Sequence, residues 1–265
     1  MNKLFFSILL SAMLFGCGGG GGGANVNEGD NVLSQKKPQP YKLDSTEIAS
    51  SITNITYKLD IYVPVEYQAG GAPLPVIYAS DGQWRSNSYK GILESSGVSA
   101  VLVAIHEGPK SRRNIDYLTP GVYDYYEFLT QELIPFVESE YSVLPTNRTL
   151  VGHSYGGAMS FYSMLIADPN RSYFDNFVSA DPSVADTETL LKLEEERFHL
   201  SKKMNSRMIL TGAMKGGNGP DVEMAYAYMQ NRKYEGLNIT LIKQDVTHDH
   251  SADQTFKDAL PLLFP

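Results

Sequence analysis

The chain has 265 residues, 42% of them hydrophobic and 20% charged, with 30 acidic against 22 basic side chains and a single cysteine. Its length and apolar content suit one large globular domain or two small ones and exclude a disordered, collagenous or coiled-coil chain. A formal charge of −8 argues against a nucleic-acid backbone or an anionic membrane surface as the main partner, because both would repel it, and one cysteine excludes an internal disulfide or a multi-thiolate metal site.

Residues 1–16 read as an export signal. Lys3 precedes an apolar run, 4–15, broken only by Ser7 and Ser11, and that run is too short for the roughly 20 residues a membrane-spanning helix needs. Leu14-Phe15-Gly16-Cys17 resembles the lipobox of bacterial lipoproteins, although Phe15 stands where a small residue is usual. The resemblance implies that Cys17 is lipidated and becomes the new N-terminus, which would place an exported protein in the bacterial cell envelope, periplasmic or attached to the outer membrane. Gly18 to Gly23 follow without a break, so residues 17–40 read as an anchor and flexible tether. A single folded domain is expected over 41–265.

The body opens with two runs, 45–54 and 56–64, that suit an antiparallel hairpin, with Tyr57, Leu59, Ile61 and Val63 alternating to one side. Short apolar runs rich in Val and Ile then recur at 75–79, 98–105, 148–151, 174–180, 207–213 and 237–243, as expected of strands buried on both faces. Stretches of helical period lie between them at 122–140, 156–167, 187–204, 222–234 and 252–263. Alternation of this kind predicts an α/β fold, a mostly parallel sheet of eight strands with helices on both faces and an antiparallel hairpin at its start.

Gly152-His153-Ser154-Tyr155-Gly156-Gly157 contains G-x-S-x-G, and steric crowding explains the spacing. A serine forced into a sharp strand-to-helix turn exposes its hydroxyl, and the turn leaves no room for side chains two residues before and after it. The motif follows a predicted strand and opens a predicted helix. A glycine-rich turn can also bind phosphate at a helix N-terminus, but neither G-x-x-x-x-G-K-[ST] nor G-x-G-x-x-G accompanies this one. Ser154 needs a base to become nucleophilic, and in the hydrolase order of serine, acid, histidine that base follows the last strand. His248 and His250 both fit. His106 and His199 read as packing or surface residues, and His153 adjoins the serine while its side chain points away from the hydroxyl.

Taken together, Asp81-Gly82-Gln83-Trp84, Arg113-Asn114-Ile115-Asp116-Tyr117, Phe128-Leu129 with Glu132-Leu133-Ile134-Pro135, the serine motif, Ser179-Ala180-Asp181-Pro182-Ser183 and the closing Thr247-His248 with Phe256, Leu260, Leu263 and Phe264 resemble the enterochelin esterase and esterase D-like group of α/β-hydrolases. The resemblance runs from about Val76 to Phe264 and implies His248, in preference to His250, as the base. It also implies a carboxylate just after the strand at 207–213, often as Gly-x-x-Glu, where this chain has Gly212-Ala213-Met214-Lys215. Beyond the Gly216–Pro220 loop the next acids are Asp221, the favoured candidate, which could equally cap a helix, and Glu223. A Ser-His dyad is the alternative, and Asp181 and Asp245 are weaker candidates by position. For the oxyanion hole the expected donors are the backbone N–H groups of Tyr155 and, by the resemblance, Gln83. Trp84 is expected at the pocket rim. Arg112 and Arg113 could meet an acidic or phenolate-bearing substrate or pair with Asp116.

The expected function is hydrolysis of a small-molecule carboxylic ester through an acyl-enzyme on Ser154, without a metal or organic cofactor. Substrates from siderophore trilactones to simple acyl or aryl esters follow from the resemblance. A non-catalytic ligand-binding protein on the same fold and an acyltransferase are the alternatives.

Overall fold

The structure is a computed structural model and describes residues 37–184 and 186–265. The expected signal, Cys17 and the glycine run lie outside the described residues.

Eight strands form one sheet in the order β1-β2-β4-β3-β5-β6-β7-β8. β1 (Tyr41–Ala49) and β2 (Thr56–Pro64) make the expected hairpin, in register from Tyr41 opposite Pro64 to Ala49 opposite Thr56. The first strand lies earlier in the chain than its sequence pattern suggests, because residues 50–55 form the turn. Ser50 N–H donates to Ile55 C=O, and Asn54 adopts a left-handed φ of 58°. β2 runs antiparallel to β4 (Val101–Ile105), and from there the sheet is parallel through β3 (Leu74–Ala79), β5 (Val143–His153), β6 (Asn176–Ala180), β7 (Arg207–Ala213) and β8 (Asn238–Gln244).

Both faces are covered, which explains why the central strands read as unbroken apolar runs. Tyr57, Leu59, Ile61 and Val63 share one face with Val101, Val103 and Ile105. That side packs against α3 (Gly121–Glu127), α4 (Ile134–Glu140), α5 (Tyr155–Ile166), α6 (Thr187–Leu200) and α7 (Gly219–Arg232). The other face, with Ile77, Ala79, Leu102 and Val151, is covered by α1 (Gly82–Ser96) and α8 (His248–Leu263). A single turn, α2 (Arg113–Asp116), precedes α3.

Two helical features differ from expectation. Residues 122–140, expected as one helix, are α3 and α4 joined by a π-helical turn at Phe128–Leu133. Pro135 has no N–H to offer the carbonyl four residues back, and a widened turn just before it accommodates that loss. The sequence pattern does not predict α1. Its sequence is largely polar, and only Gly82, Ser86, Tyr89, Ile92 and Leu93 are buried.

Tyr89 of α1 and Phe256 of α8 stack with ring centroids 4.1 Å apart, and both are fully buried. This contact clamps α8 to α1 on that face of the sheet. Truncation of Phe256 to alanine is expected to cost about 3–5 kcal/mol, read as a lower denaturant midpoint in urea unfolding; an unchanged midpoint would mean that α8 is held by other contacts.

Candidate active site

At the end of β5 the chain turns into α5 through Ser154, whose φ of 59° is rare for a residue with a Cβ. Its backbone is pinned on both sides, with Ser154 N–H donating to Ala180 C=O at 3.0 Å and Ser183 N–H donating to Ser154 C=O at 3.1 Å. The glycines are needed for space. A Cβ at Gly152 would overlap the Gly156 carbonyl, one at Gly156 would overlap Ser80 Oγ, and one at Gly157 would lie 2.9 Å from the Ala180 carbonyl oxygen. Ser154 is half-buried, and its Oγ lies 3.2 Å from Ser183 Oγ.

His248 is the first residue of α8. Its Nδ1 lies 2.5 Å from Oδ2 of Asp181, a fully buried carboxylate. Asp181 directly follows β6, at the edge of the same turn that pins Ser154. Its Oδ1 accepts N–H bonds from Ala213 at 2.8 Å and Asn218 at 3.1 Å, while Asn218 Nδ2 donates to its carbonyl. The glycine-rich loop after β7 therefore wraps the acid rather than carrying it. The fit is tight, since a Cβ at Gly217 would stand 2.6 Å from Asp181 Oδ2.

The acid expected at Asp221 is thus corrected to Asp181. Asp221 sits in the first turn of α7, half-buried, and lines a cleft of about 420 Å³ with Val184, Leu190 and Met224. Glu223 is drawn to Lys243 at 2.6 Å, and Lys215 pairs with Asp245 on the surface. His250 is exposed, with its Nδ1 2.8 Å from Thr247 Oγ1. Between the two histidines, only His248 meets a buried carboxylate among the described residues.

The loop between β3 and α1 supplies the opposite wall. Asp81 takes a left-handed φ of 59°, and its carbonyl accepts from Trp84 and Arg85 N–H. The N–H groups of Gln83 and of Tyr155, both at helix starts, have no acceptor among the described residues. They are available to a developing negative charge. The Gln83 side chain turns the other way, its Oε1 accepting Glu107 N–H at 3.0 Å.

Arg113 is not free to meet a substrate anion, which corrects its expected role. Its Nε and Nη2 bind the buried Asp81 carboxylate at 2.9 and 3.0 Å, and its guanidinium lies 5.3 Å from the ring centroids of both Trp84 and Tyr155. Burial pulls the guanidinium pKa down, but the hydrogen bonds and charge of Asp81 outweigh it and hold the group above its ordinary value. Arg113 therefore braces the loop bearing Gln83 against the serine turn. Arg112 pairs with Asp116 at 2.8 Å, but Asp116 is buried and also accepts from Tyr57 Oη, so this is not the surface pair that the sequence suggests. Trp84 is 57% exposed, which excludes core packing and fits a rim position. Among the described residues, no group of three or more His, Cys, Asp or Glu side chains is placed to share a metal ion.

Comparison with known proteins adds three findings. The esterase family model, "Putative esterase", matches residues 50–203. The diacylglycerol acyltransferase/mycolyltransferase Ag85A of Mycobacterium gordonae is 27% identical over 146 residues, covering 49% of this chain and 43% of that protein; the match thus spans less than half the length of that curated relative. Among solved structures, an IroE-like serine hydrolase from Shewanella oneidensis superposes with a TM-score of 0.72 at 22% identity, covering 84% of this chain and 80% of that one. The siderophore hydrolase EstA from Aspergillus nidulans does so with a TM-score of 0.69 at 18% identity, covering 83% and 93%. These superpositions establish a shared α/β-hydrolase-type architecture. With the family model matching more than half of its length, the chain belongs to the esterase family.

Proposed function

We propose that this protein hydrolyses small-molecule carboxylic esters through an acyl-enzyme. The observation that carries the reading is a histidine, His248, whose Nδ1 is held at 2.5 Å by the buried Asp181, the residue directly after the strand to which the backbone of the strained Ser154 is pinned. Ser154 Oγ attacks the ester carbonyl carbon while His248 Nε2 takes its proton. The carbonyl oxygen becomes an oxyanion and accepts the N–H groups of Tyr155 and Gln83, interactions worth about 3–4 kcal/mol per donor in such sites. His248 then returns the proton to the alkoxide as the carbon–oxygen bond breaks and the alcohol leaves. Water, deprotonated by the same imidazole, attacks the acyl carbon and frees the acid and Ser154. Asp181 fixes the tautomer with hydrogen on Nδ1 and stabilises the imidazolium that forms. Ser154 Oγ is within hydrogen-bond distance of Ser183 Oγ, and the serine–histidine hydrogen bond of such sites commonly tightens only in the complex with substrate.

Esters of siderophore or aryl type are the proposed substrates, a choice supported by the fold shared with siderophore hydrolases and by the exposed indole of Trp84 at the rim. The likeness to Ag85A favours acyl transfer as a second reading; it predicts that an added alcohol diverts the acyl group from water into a new ester. The lipobox-like Leu14-Phe15-Gly16-Cys17 supports export and lipidation at Cys17, so that the enzyme would act in the cell envelope.

Kinetics with p-nitrophenyl acetate test the site. Ser154→Ala is expected to abolish turnover, Asp181→Asn to lower kcat by roughly 10⁴-fold as a wrong tautomer does, and Asp221→Asn to stay within about threefold as a residue outside the reacting constellation. Gly217→Ala, which drives a Cβ at Asp181 Oδ2, should fall between them. Equal losses at 181 and 221 would refute the acid assignment. For the anchor, metabolic labelling with an alkynyl fatty acid should tag the wild-type protein and not Cys17→Ala; labelling of both would remove Cys17 as the lipidation site.

A further inference from the structure

Resting on the esterase reading, we infer that His153 is a positioning residue, which fixes His248 from the serine turn and ties it, through Arg85, to the helix that carries Gln83. His153 precedes the nucleophile in sequence and is 7% exposed. Its Nε2 lies 3.0 Å from the main-chain carbonyl oxygen of His248, and its Nδ1 lies 3.4 Å from Arg85 Nη2. The two imidazole rings pack with centroids 4.6 Å apart, tilted by 37°.

A single protonation state satisfies both contacts. The His248 carbonyl can only accept, so Nε2 must carry the hydrogen; the guanidinium can only donate, so Nδ1 must present its lone pair. Burial, followed by the charges of Arg85 and His248, pushes the His153 pKa down to about 3. Neutral His153 is therefore the form present throughout the range in which an esterase works.

The need for such a strut follows from where His248 stands. As the first residue of α8 it occupies a helix end, where the backbone has fewer internal bonds than in the helix body. Asp181 holds only the imidazole. Ser251 Oγ also donates to the His248 carbonyl, at 2.7 Å, but that bond lies within the first turn of α8 and moves with it. The His153 bond joins α8 to a different element, the turn bearing Ser154. Arg85 extends the link to α1, two residues beyond Gln83, and α1 meets α8 again where Ser88 Oγ donates to Asp253 at 2.8 Å. Nucleophile, base and oxyanion donor thus share one mechanical connection.

His153→Phe and His153→Asn remove the Nε2 donor, the first keeping a ring against His248 and the second avoiding added bulk. His153→Gln restores an N–H near the Nε2 position. The two loss variants are expected to lower kcat for p-nitrophenyl acetate by about 10- to 100-fold with KM within about twofold, as displacement of a reacting group does, and the Gln variant to recover to within about threefold. Proton NMR gives a readout independent of turnover. The downfield Nδ1 proton of His248, shared with Asp181, should be sharp in wild type and His153→Gln and broadened or lost in the loss variants. A folded loss variant with wild-type kcat and an unchanged Nδ1 signal would overturn the inference. If the wild-type protein cleaves no ester, the esterase reading fails, and the NMR comparison still decides whether His153 positions His248.

Discussion

The hydrogen bond from His248 to Asp181 joins segments 67 residues apart and closes the site around Ser154. It requires that α8 start against the end of β6, which in turn requires Phe256 stacked on Tyr89 below it and the β7 to α7 loop folded over Asp181 above it. Each support is a packing constraint on the position of one imidazole. The carboxylate itself is fully buried, and it meets the burial cost through two backbone N–H donors and the histidine.

A second buried pair works on the other side of the serine. Arg113 and Asp81 form a two-pronged contact within a shell of Trp84, Tyr117 and Tyr155. Breaking one partner of such a pair leaves an uncompensated charge, typically at a cost of 3–5 kcal/mol, so the loop carrying Gln83 is held firmly. Preorganised donors need this rigidity, because an oxyanion hole that must move into place loses much of its advantage.

How much of this was legible in the sequence depended on how local each signal was. The serine turn was legible because its glycines answer to contacts within a few residues, and the parallel strands because burial on both faces leaves continuous Val and Ile runs. The acid was misplaced for the opposite reason. Both Asp181 and Asp221 follow a strand and lie between the serine and the histidine in chain order, so the choice rests on which strand end faces the start of α8. A usable signal was present in Asp181-Pro182-Ser183, a carboxylate immediately after the strand next to the nucleophile's own. α1 went unrecognised because Arg85, Asn87, Ser88 and Lys90 interrupt its apolar pattern, while Ser86 is buried through hydrogen bonds to Asp60 and the Gly82 carbonyl. The sequence leaves Arg113 open between a substrate anion and Asp116, because its actual partner, Asp81, is 32 residues away.

The central claim is that Ser154 is an activated nucleophile whose reactivity depends on His248 and Asp181. Peptide mass mapping after brief exposure to a fluorophosphonate tests it most directly. The account predicts a phosphonyl adduct on Ser154 in the wild-type protein, formed far more slowly in His248→Ala and Asp181→Asn and at an undiminished rate in His250→Ala. An unmodified Ser154 in folded wild-type protein, or an adduct forming at the same rate in all four proteins, would contradict it.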